Sequence, residues 1–483
     1  MHLFNINVNL LFMNKLHKFI LVIAILLVVF FTNFLGHYNQ MPMHVDSWQL
    51  ISKADYFIKQ QNIMPDEPFS HTESNYPEGS SLFLAVLASI SNWYIVSAGF
   101  ISISQFLPAI LNVILALLLY LLSKTLFKNE MVALAVMAFT PLAISNITML
   151  GIFYLAPVAF GMVLSYLFFS FLVRKELLSA FLIFVSILVT HNSSLAFASV
   201  AFFLYFIFNK ENWKKLKYLL TVFGIGFFMF NLMNGFEYTI KLIPSLFLFE
   251  KIQPHFSIYL TLPIIFLVFL SAGIYLILVC EKRVSKFLIP LFAFLAVNAF
   301  AYWYFQGILL VYRRLYVFLY SMLPFFIGYS VWFISFRIES LLGNLKKYYP
   351  VLIIIFVLLI PQAVMLNIRV YERSYQYVTS TEHELFKEFG EEYPENYLVA
   401  DHLESFALPY YNIKPVVLSP MHGANTTYYA ETFECFANRN ITCFEEFFNT
   451  TSFEYLYTST YVNSTHFEPF LKHEDKIIYK FVK

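Results

Sequence analysis

The first long polar stretch of the chain, residues 43–81, concentrates side chains that are capable of acid–base chemistry. Asp46, Asp55 and Glu78 are among its acidic residues, and His44 precedes them. A carboxylate beside a hydroxyl group can take up the hydroxyl proton while the oxygen attacks a second molecule, which is general base catalysis. Asp46 is the first candidate for such a base, although an exposed loop also carries acidic residues without any chemistry.

Asp46 stands at the start of a segment whose apolar residues recur at helical spacing. They are Leu50, Ile51, Ala54, Phe57 and Ile58. One apolar stripe on an otherwise polar helix predicts a helix that lies flat on the outer membrane surface. At the helix start a carboxylate suits the helix dipole, so Asp46 could be an N-cap as readily as a base. The pattern leaves both roles open.

Glu78 is the next candidate and lies in a predicted turn at residues 76–79. It could be a second acid, a metal ligand or an exposed loop residue. The apolar run at 79–92 that follows is too short to cross a bilayer. We therefore expect this run to form a helix in the membrane interface.

Arg313 and Arg314 form a basic pair that follows a long apolar stretch. A planar guanidinium group donates two parallel hydrogen bonds to phosphate oxygens, so the pair suits a phosphate near the membrane surface. Snorkelling of both side chains to ordinary lipid headgroups is the alternative. His191 ends another apolar segment, where its ring would either line a cavity or face solvent.

Composition places these residues in a membrane protein. The chain has 483 residues, of which 59% are hydrophobic and 13% are charged, and its mean hydropathy is +0.66. Such values are typical of polytopic membrane proteins. A net charge of +1 gives no reason to expect nucleic-acid binding. The sequence motifs of P-loops, zinc hydrolases and serine hydrolases do not occur in the chain.

Segments of about 20 apolar residues are long enough to cross a bilayer, and the sequence contains about eleven of them. They are 17–36, 99–122, 131–149, 153–173, 177–191, 195–209, 217–235, 258–280, 287–305, 315–336 and 350–368. With this count, the loops on the side of the N-terminus hold roughly twice as many Lys and Arg residues as the opposite loops. We therefore expect a plasma-membrane protein whose N-terminus is cytoplasmic.

The predicted division is a transmembrane domain over 1–371, with its first outer loop at 37–98, and an extracytoplasmic domain over 372–483. The second part contains 17 acidic and 8 basic residues. It is predicted to be a small α/β domain from one helix and four short strands. Their positions are 382–389 for the helix, and 397–400, 415–418, 454–458 and 476–482 for the strands.

Two further features concern the outer side of the membrane. Asn-x-Ser/Thr sequences are typical of exposed loops there, and those at Asn192, Asn425, Asn440, Asn449 and Asn463 fall in or beside the predicted outer parts of the chain. Cys435 and Cys443 are close in sequence on the same side. An oxidising compartment would allow them to form a disulfide, and the sequence leaves open whether they do.

Several segments, ordered along nearly the whole chain, resemble the GT-C class of membrane glycosyltransferases. They are HVD at 44–46, NYPEGSSLFLAVLASIS at 75–91, LYLLSKTLFKNE at 119–130, FTPLA at 139–143, THNSS at 190–194 and the arginine pair at 313–314. Members of this class take sugar from a polyprenyl phosphate or diphosphate. The resemblance implies an α-helical polytopic GT-C-like fold and transfer of a sugar to a protein, lipid or glycan acceptor on the outer face.

The resemblance also implies roles for the site residues. In the class, an acid of the first outer loop is the catalytic base or a metal ligand, which points to Asp46. An outer arginine contacts the lipid phosphate, which points to Arg313 or Arg314. Further substrate contacts are expected from the remaining candidates: His44, Glu78 and His191. Direct displacement by the acceptor would invert the configuration of the sugar.

The chain also departs from the oligosaccharyltransferases of that class. It lacks their W-W-D-x-G sequence, and it lacks an acidic pair near residues 150–155. These departures favour transfer of one sugar over transfer of a whole oligosaccharide. They leave open whether the reaction uses a divalent metal ion.

Two functions of other kinds stay open. The chain could be a non-catalytic scaffold or receptor that works through residues 372–483, or it could transport lipid-linked glycans. Ion-coupled transport requires charged side chains near the middle of broken helices. The predicted spans contain prolines but almost no such charges.

Overall fold

The structure, a computed structural model, describes residues 15–37, 41–42, 45–60, 79–90, 99–143, 154–208, 224, 264–305, 315–342, 378–401, 404–417, 427–458 and 462–482. Up to residue 342 the described elements are helices. They are α1 (Lys15–His37), α2 (Val45–Gln60), α3 (Gly79–Ile90), α4 (Gly99–Phe127), α5 (Glu130–Ala138), α6 (Pro157–Arg174), α7 (Leu177–Thr190), α8 (Asn192–Phe208), α9 (Ile264–Cys280), α10 (Lys282–Phe305) and α11 (Leu315–Leu342).

Four of these helices contain segments that are long and apolar enough to cross a membrane, namely Phe19–His37, Gly99–Phe127, Pro157–Arg174 and Val317–Arg337. Shorter apolar segments lie in α3, α7, α8 and α9. The chain is therefore a polytopic integral membrane protein. The predicted spans at 217–235 and 350–368 lie outside the described residues apart from Gly224, so the number eleven stays a prediction.

The helix α3, which lies within the predicted first outer loop, is short, as expected. α3 has 12 residues, which gives a length of about 18 Å at 1.5 Å per residue. The hydrocarbon core of a bilayer is about 30 Å thick. α3 therefore does not cross it.

Two other helices differ from the predicted bounds because of proline. The segment predicted at 131–149 is α-helical only as far as Ala138, where a 3-10 turn containing Pro141 follows. Proline lacks the N–H that would continue the helical hydrogen bonds. The segment predicted at 153–173 begins as a helix at Pro157, and proline suits the first helical position.

α11 packs against α5, α9 and α10. The rings of Phe318 in α11 and Phe197 in α8 have centroids 4.3 Å apart. Ser321 Oγ and Tyr166 OH of α6 form a hydrogen bond of 2.7 Å. Polar contacts of this kind hold membrane helices together where no water competes for them.

Two glycines bring α11 to its neighbours at backbone distance. A Cβ at Gly328 would lie 2.7 Å from the backbone nitrogen of Val136 in α5. A Cβ at Gly273 in α9 would lie 2.0 Å from the carbonyl oxygen of Phe326. Small residues at such positions allow membrane helices to pack closely.

Residues 378–482 form a C-terminal unit on a five-stranded mixed sheet of order β2-β1-β3-β5-β4. Its strands are β1 (Tyr397–Val399), β2 (Lys414–Pro415), β3 (Tyr455–Thr458), β4 (Phe467–His473) and β5 (Lys476–Phe481). β1 pairs in parallel with β2 and β3, and β5 pairs antiparallel with β3 and β4. The helices are α12 (Ser380–Glu392), α13 (Thr427–Asn438) and α14 (Ile441–Thr450), with 3-10 turns at Glu404–Phe406 and Leu408–Tyr411.

Side chains of the sheet alternate between two hydrophobic cores. Tyr455 and Tyr457 of β3 belong to the core that α12 covers, whereas Leu456 between them belongs to the core that α14 covers. This alternation is the period of two of a strand. Cys435 of α13 and Cys443 of α14 form a disulfide bond, the outcome that the sequence left open.

The sequence places α12, β1, β2, β3 and β5 near their observed positions, but it does not predict α13, α14 or β4. β4 contains Pro469 and lies at an edge of the sheet, where proline is tolerated because one side of the strand makes no ladder hydrogen bonds. The pairing of β4 with β5 shifts between Pro469 and Leu471. Such a strand lacks a regular alternating pattern.

Replacement Gly273→Ala should lower the thermal stability of the protein. The new Cβ would meet the backbone of α11, which cannot move aside as the end of a flexible side chain can. Overpacking of this kind costs about 1–3 kcal/mol. The measurement is the melting temperature of the detergent-purified protein. Gly224→Ala is the control, because a Cβ there would meet no described atom within 4 Å. Equal melting temperatures of the two variants would contradict the packing of α9 on α11.

Candidate functional site

Asp46 lies inside the first turn of α2 and is only 3% exposed. Because the helix begins at Val45, Asp46 does not occupy the N-cap position that precedes a helix. Its burial also excludes the interpretation as an exposed loop residue. The positive end of the helix dipole favours a carboxylate at this position.

α2 is buried on two opposite sides. Its predicted apolar stripe packs into the core of the helical bundle through Leu50, Ile51, Ala54 and Phe57, with Ile58 partly buried beside them. Trp48 belongs instead to the core of the C-terminal unit, and Ser52 Oγ donates a hydrogen bond to the Phe406 carbonyl at 3.1 Å. The sequence predicts that the polar face of α2 is turned to solvent. In the structure, the C-terminal unit covers this face.

Trp48 is the central contact of α2 with the C-terminal unit. Its side chain is fully buried, and its ring centroid lies 6.0 Å from those of Tyr410 and Tyr411. Tyr411 OH lies 2.8 Å from His383 Nδ1 of α12. At the other end of α2, Lys59 Nζ donates to Asn412 Oδ1 at 2.8 Å. These contacts fix the rotation of α2 about its own axis.

The start of α4 also reaches this junction. Gly99 has a φ angle of +54°, in the left-handed region that favours glycine. A Cβ at Gly99 would lie 2.9 Å from Tyr410 OH. The C-terminal unit therefore sits at the end of the bundle where α4 begins.

Gln49 is a residue that the sequence reasoning missed. It follows Asp46 by three positions, so the two side chains share one face of α2. Gln49 is 3% exposed, and its Oε1 has no hydrogen-bond partner among the described residues. A buried amide oxygen without a donor is costly, which makes Gln49 a candidate contact for a ligand hydroxyl. Its spacing from Asp46 is the signal that could have identified it.

His191 lies in the turn between α7 and α8 and is 3% exposed. Its Nδ1 accepts a hydrogen bond from Ser194 N–H at 3.3 Å and lies 3.0 Å from Ser194 Oγ. The ring caps the start of α8, and a neutral His191 consequently carries its proton on Nε2. Gly161 of α6 leaves room for this turn, since a Cβ there would lie 2.1 Å from Ser194 Oγ. Burial excludes the solvent-facing interpretation of His191.

The start of α3 meets the turn that contains His191. Ser80 Oγ donates a hydrogen bond to the Thr190 carbonyl at 3.4 Å, and α3 packs along α2. Asp46 on α2, the start of α3 and the His191 turn thus belong to one set of packed elements. The C-terminal unit joins this set through Trp48.

The other predicted site residues, His44, Glu78, Arg313 and Arg314, lie outside the described residues. Glu78 directly precedes α3, and Arg314 directly precedes α11. Among the described residues, His, Cys, Asp and Glu side chains form no group of three or more that could hold a metal ion.

Glu382 holds α12 to the sheet and is itself buried. Its Oε2 accepts a hydrogen bond from Thr379 N–H at 2.7 Å, and its Oε1 accepts from Lys476 Nζ at 3.0 Å and from Tyr457 OH. Burial alone would raise the pKa of Glu382, but these hydrogen bonds outweigh it and lower the pKa below the usual value.

The pKa of Glu404 is shifted in the opposite direction, above its usual value. It lies in the 3-10 turn that contacts α2. Burial raises its pKa well above the usual value, and the carboxylates of Glu382 and Asp401 add to this shift. Glu404 therefore keeps its proton at a pH at which an exposed glutamate is charged. The raised pKa thus favours the protonated form of Glu404 where the C-terminal unit meets α2.

Comparison with known proteins identifies relatives by structure alone. No family model matches the chain, and no curated protein matches its sequence. The structure of ArnT from Cupriavidus metallidurans bound to undecaprenyl phosphate is similar with a TM-score of 0.57 and 10% identity, over 97% of this chain and 99% of that chain. The apo oligosaccharyltransferase of Archaeoglobus fulgidus is similar with a TM-score of 0.52 and 12% identity, over 92% of this chain and 70% of that chain.

Both of these proteins are GT-C glycosyltransferases, so the fold of this chain is GT-C-like. The class expected from the short sequence segments is confirmed at the level of fold. Identities of 10% and 12% carry nothing further about the individual residues.

Replacing Trp48 by alanine should loosen the C-terminal unit from the bundle. Loss of a fully buried tryptophan costs about 3–5 kcal/mol, so limited proteolysis should cut residues 378–482 of Trp48→Ala much faster than those of the unchanged protein. Trp48→Phe is the matched control. The indole Nε1 has no hydrogen-bond partner among the described residues, so phenylalanine keeps most of the contact. If residues 378–482 of Trp48→Ala were cut no faster than those of the unchanged protein, Trp48 would not hold the C-terminal unit to α2.

Removing the ionisable group at Glu404 should flatten the pH dependence of stability. The unfolded chain releases this proton near pH 4.3, roughly the value of a free glutamate, whereas the folded protein releases it at higher pH. The folded state binds more protons in between, so stability falls as pH rises through that window. Glu404→Gln should therefore melt higher than the unchanged protein at pH 8 and alike at pH 4. The control is Glu384→Gln, at a side chain that is 61% exposed. A Glu404→Gln variant that melts lower at pH 8 would contradict the assignment.

Proposed function

We propose that the protein is a membrane glycosyltransferase that moves a sugar from a polyprenyl-phosphate-linked donor to an acceptor hydroxyl on the outer face of the membrane. The observation that carries the proposal is the similarity to ArnT with bound undecaprenyl phosphate, which extends over 97% of this chain and 99% of that one. Similarity of this extent includes both the helical bundle and the C-terminal unit. A protein, a lipid or a glycan would supply the acceptor hydroxyl.

Transfer of a whole oligosaccharide is less well supported than transfer of one sugar. The chain covers 70% of the Archaeoglobus fulgidus oligosaccharyltransferase, and it lacks the W-W-D-x-G sequence of such enzymes. We therefore assign a polyprenyl-phosphate sugar to the donor side of the reaction.

Asp46 is the proposed general base. The acceptor oxygen attacks the anomeric carbon while its proton moves to the Asp46 carboxylate, and the bond from that carbon to the phosphate oxygen breaks. The polyprenyl phosphate leaves with the electron pair. One direct displacement inverts the sugar configuration. The buried position of Asp46 in the first turn of α2 supports this role, since a base within a dry, fixed site needs little reorganisation during the reaction.

Charge that develops on the departing phosphate requires fixed positive groups. Arg313 and Arg314 are proposed for this purpose, as they immediately precede α11, which packs against α5, α9 and α10. Gln49 is proposed to accept a hydrogen bond from a substrate hydroxyl. His44, Glu78 and His191 remain proposed substrate contacts, and the buried His191 would act by shaping the turn beside α3.

The placement of the site outside the cytoplasm rests on two observations. The Cys435–Cys443 disulfide fits an oxidising compartment. The C-terminal unit that carries this disulfide contacts α2, the helix of Asp46. Donor, acceptor and base are therefore proposed to meet on the outer side of the plasma membrane.

The replacement Asp46→Asn should reduce sugar transfer by a factor of about 100 or more, because a positioned general base contributes about 10²–10⁴ to the rate. The assay offers polyprenyl-phosphate sugars to the purified protein and measures released polyprenyl phosphate, with water as a slow acceptor. Asp55→Asn is the matched control on the same helix. Asp55 is equally buried at 3% exposure, and its carboxylate pairs with Lys59 at 2.7 Å rather than lying in the first turn.

Each result of this assay decides between the functions considered. Release that is lost in Asp46→Asn and kept in Asp55→Asn supports the transferase. Equal release by both variants would remove Asp46 from the mechanism. Donor binding without any release favours a transporter of lipid-linked glycans, and absence of donor binding favours a scaffold or receptor.

A further inference from the structure

We propose that Asn463 is an N-glycosylation site whose sequon stays accessible in the folded protein, whereas the sequons at Asn440 and Asn449 are closed by folding. The inference rests on how the C-terminal unit presents these three sequences. It holds whether or not the chain is itself a glycosyltransferase.

Two anchored residues, Val462 and Ser464, flank Asn463 in the stretch 462–466. Val462 is buried, and its N–H donates to Tyr479 OH at 3.0 Å. Ser464 Oγ donates to the Glu445 carboxylate and accepts from His466 N–H, the latter at 3.0 Å. Asn463 and Thr465 are exposed.

Residues 465–466 form a bend before β4 begins, and the anchors at Val462 and Ser464 leave the side chains of Asn463 and Thr465 in solvent. The asparagine amide and the hydroxyl of a sequon are thereby presented together. An enzyme that must read both groups at once can approach this segment from solvent.

The asparagine of the sequon at Asn440 is engaged in a hydrogen bond of the folded chain. Asn440 caps α14, and its Oδ1 accepts a hydrogen bond from Cys443 N–H at 3.3 Å. Cys443 is itself tied to Cys435 by the disulfide. Release of the Asn440 amide would undo a helix cap, and Thr442 lies within the helix.

The side chains of the sequon at Asn449 point in different directions because the sequence lies at the end of a helix. Asn449 lies in the last turn of α14, and Thr451 is the residue that caps its end. Residues two positions apart on a helix do not face each other. The Thr451 hydroxyl is also engaged, since it donates to the Phe447 carbonyl at 2.9 Å. Asn449 is exposed, but its hydroxyl partner is not presented with it.

The modification needs an oligosaccharyltransferase and a lipid-diphosphate-linked oligosaccharide as co-reactants. Asn463 Nδ2 forms a bond to the anomeric carbon of the first sugar and loses one proton. The bond from that carbon to the diphosphate oxygen breaks, and the lipid diphosphate leaves with the electron pair.

The test compares the folded full-length chain with three synthetic peptides that contain the sequons of Asn440, Asn449 and Asn463. Each is incubated with an oligosaccharyltransferase and a lipid-linked oligosaccharide. Peptide mass spectrometry then measures the occupancy of each asparagine, after intact-mass analysis has verified the disulfide of the folded chain. All three peptides should be modified, whereas the folded chain should carry glycan at Asn463 with at least tenfold higher occupancy than at the other two sites.

Among the three asparagine substitutions, only the one at Asn463 should change the glycosylation of the C-terminal unit. Asn463→Gln should abolish modification within residues 427–482 of the folded chain, and Asn440→Gln or Asn449→Gln should leave the occupancy of Asn463 unchanged. Comparable occupancy at Asn440 or Asn449 in the folded chain would overturn the proposal. So would an unmodified Asn463 in either the folded chain or its peptide.

Discussion

The burial of α2 between two hydrophobic cores is the interaction on which the arrangement of the candidate site depends. Leu50, Ile51 and Ala54 belong to the core of the bundle, whereas Trp48 belongs to the core of the C-terminal unit. A helix held from both sides can neither rotate nor slide without opening one core. The position of Asp46 in its first turn is therefore fixed by packing that lies outside the first turn itself.

This two-sided burial has an electrostatic consequence. Lys53 and Asp55 of α2 are buried to 4% and 3% exposure. Charges removed from water need partners, as in the ion pair of Asp55 with Lys59. Interactions between charges are stronger in such an environment than in water. Docking of the C-terminal unit therefore does more than cover α2, because it converts an amphipathic surface helix into a dry element whose carboxylates are held in place.

The part of this arrangement that the sequence predicts is the part with a local signal. The apolar stripe of Leu50 to Ile58 predicts α2, and the run of β-favouring residues at 454–458 predicts β3. Nothing in the pattern of α2 indicates its second buried side, because Trp48 stands alone there among polar residues. Its partners, Tyr410 and Tyr411, lie more than 350 positions further along the chain.

The candidate site shows the same limit. Asp46 could be selected from sequence by residue type and position, and its burial needed the structure. The role of His191 as a cap of α8 depends on Gly161 in another helix, which no local pattern encodes. α5 ends early because a proline follows it, a signal that is visible in the sequence but is outweighed there by continuous hydrophobicity. Long-range packing, rather than local preference, decides these features.

Two adjacent residues of α12, Glu382 and His383, connect the sheet of the C-terminal unit to the aromatic residues that contact α2. Glu382 is bound to Tyr457 and Lys476 of the sheet, and His383 is within hydrogen-bond distance of Tyr411, the neighbour of Trp48. Successive residues of a helix point in different directions, so one turn of α12 can hold the sheet on one side and the aromatic contact on the other. The capping box at Thr379 fixes where this turn begins. The geometry at Asp46 thus rests on a series of contacts that starts at the strands of the C-terminal unit, so the position of α2 depends on a folded unit that is distant in sequence.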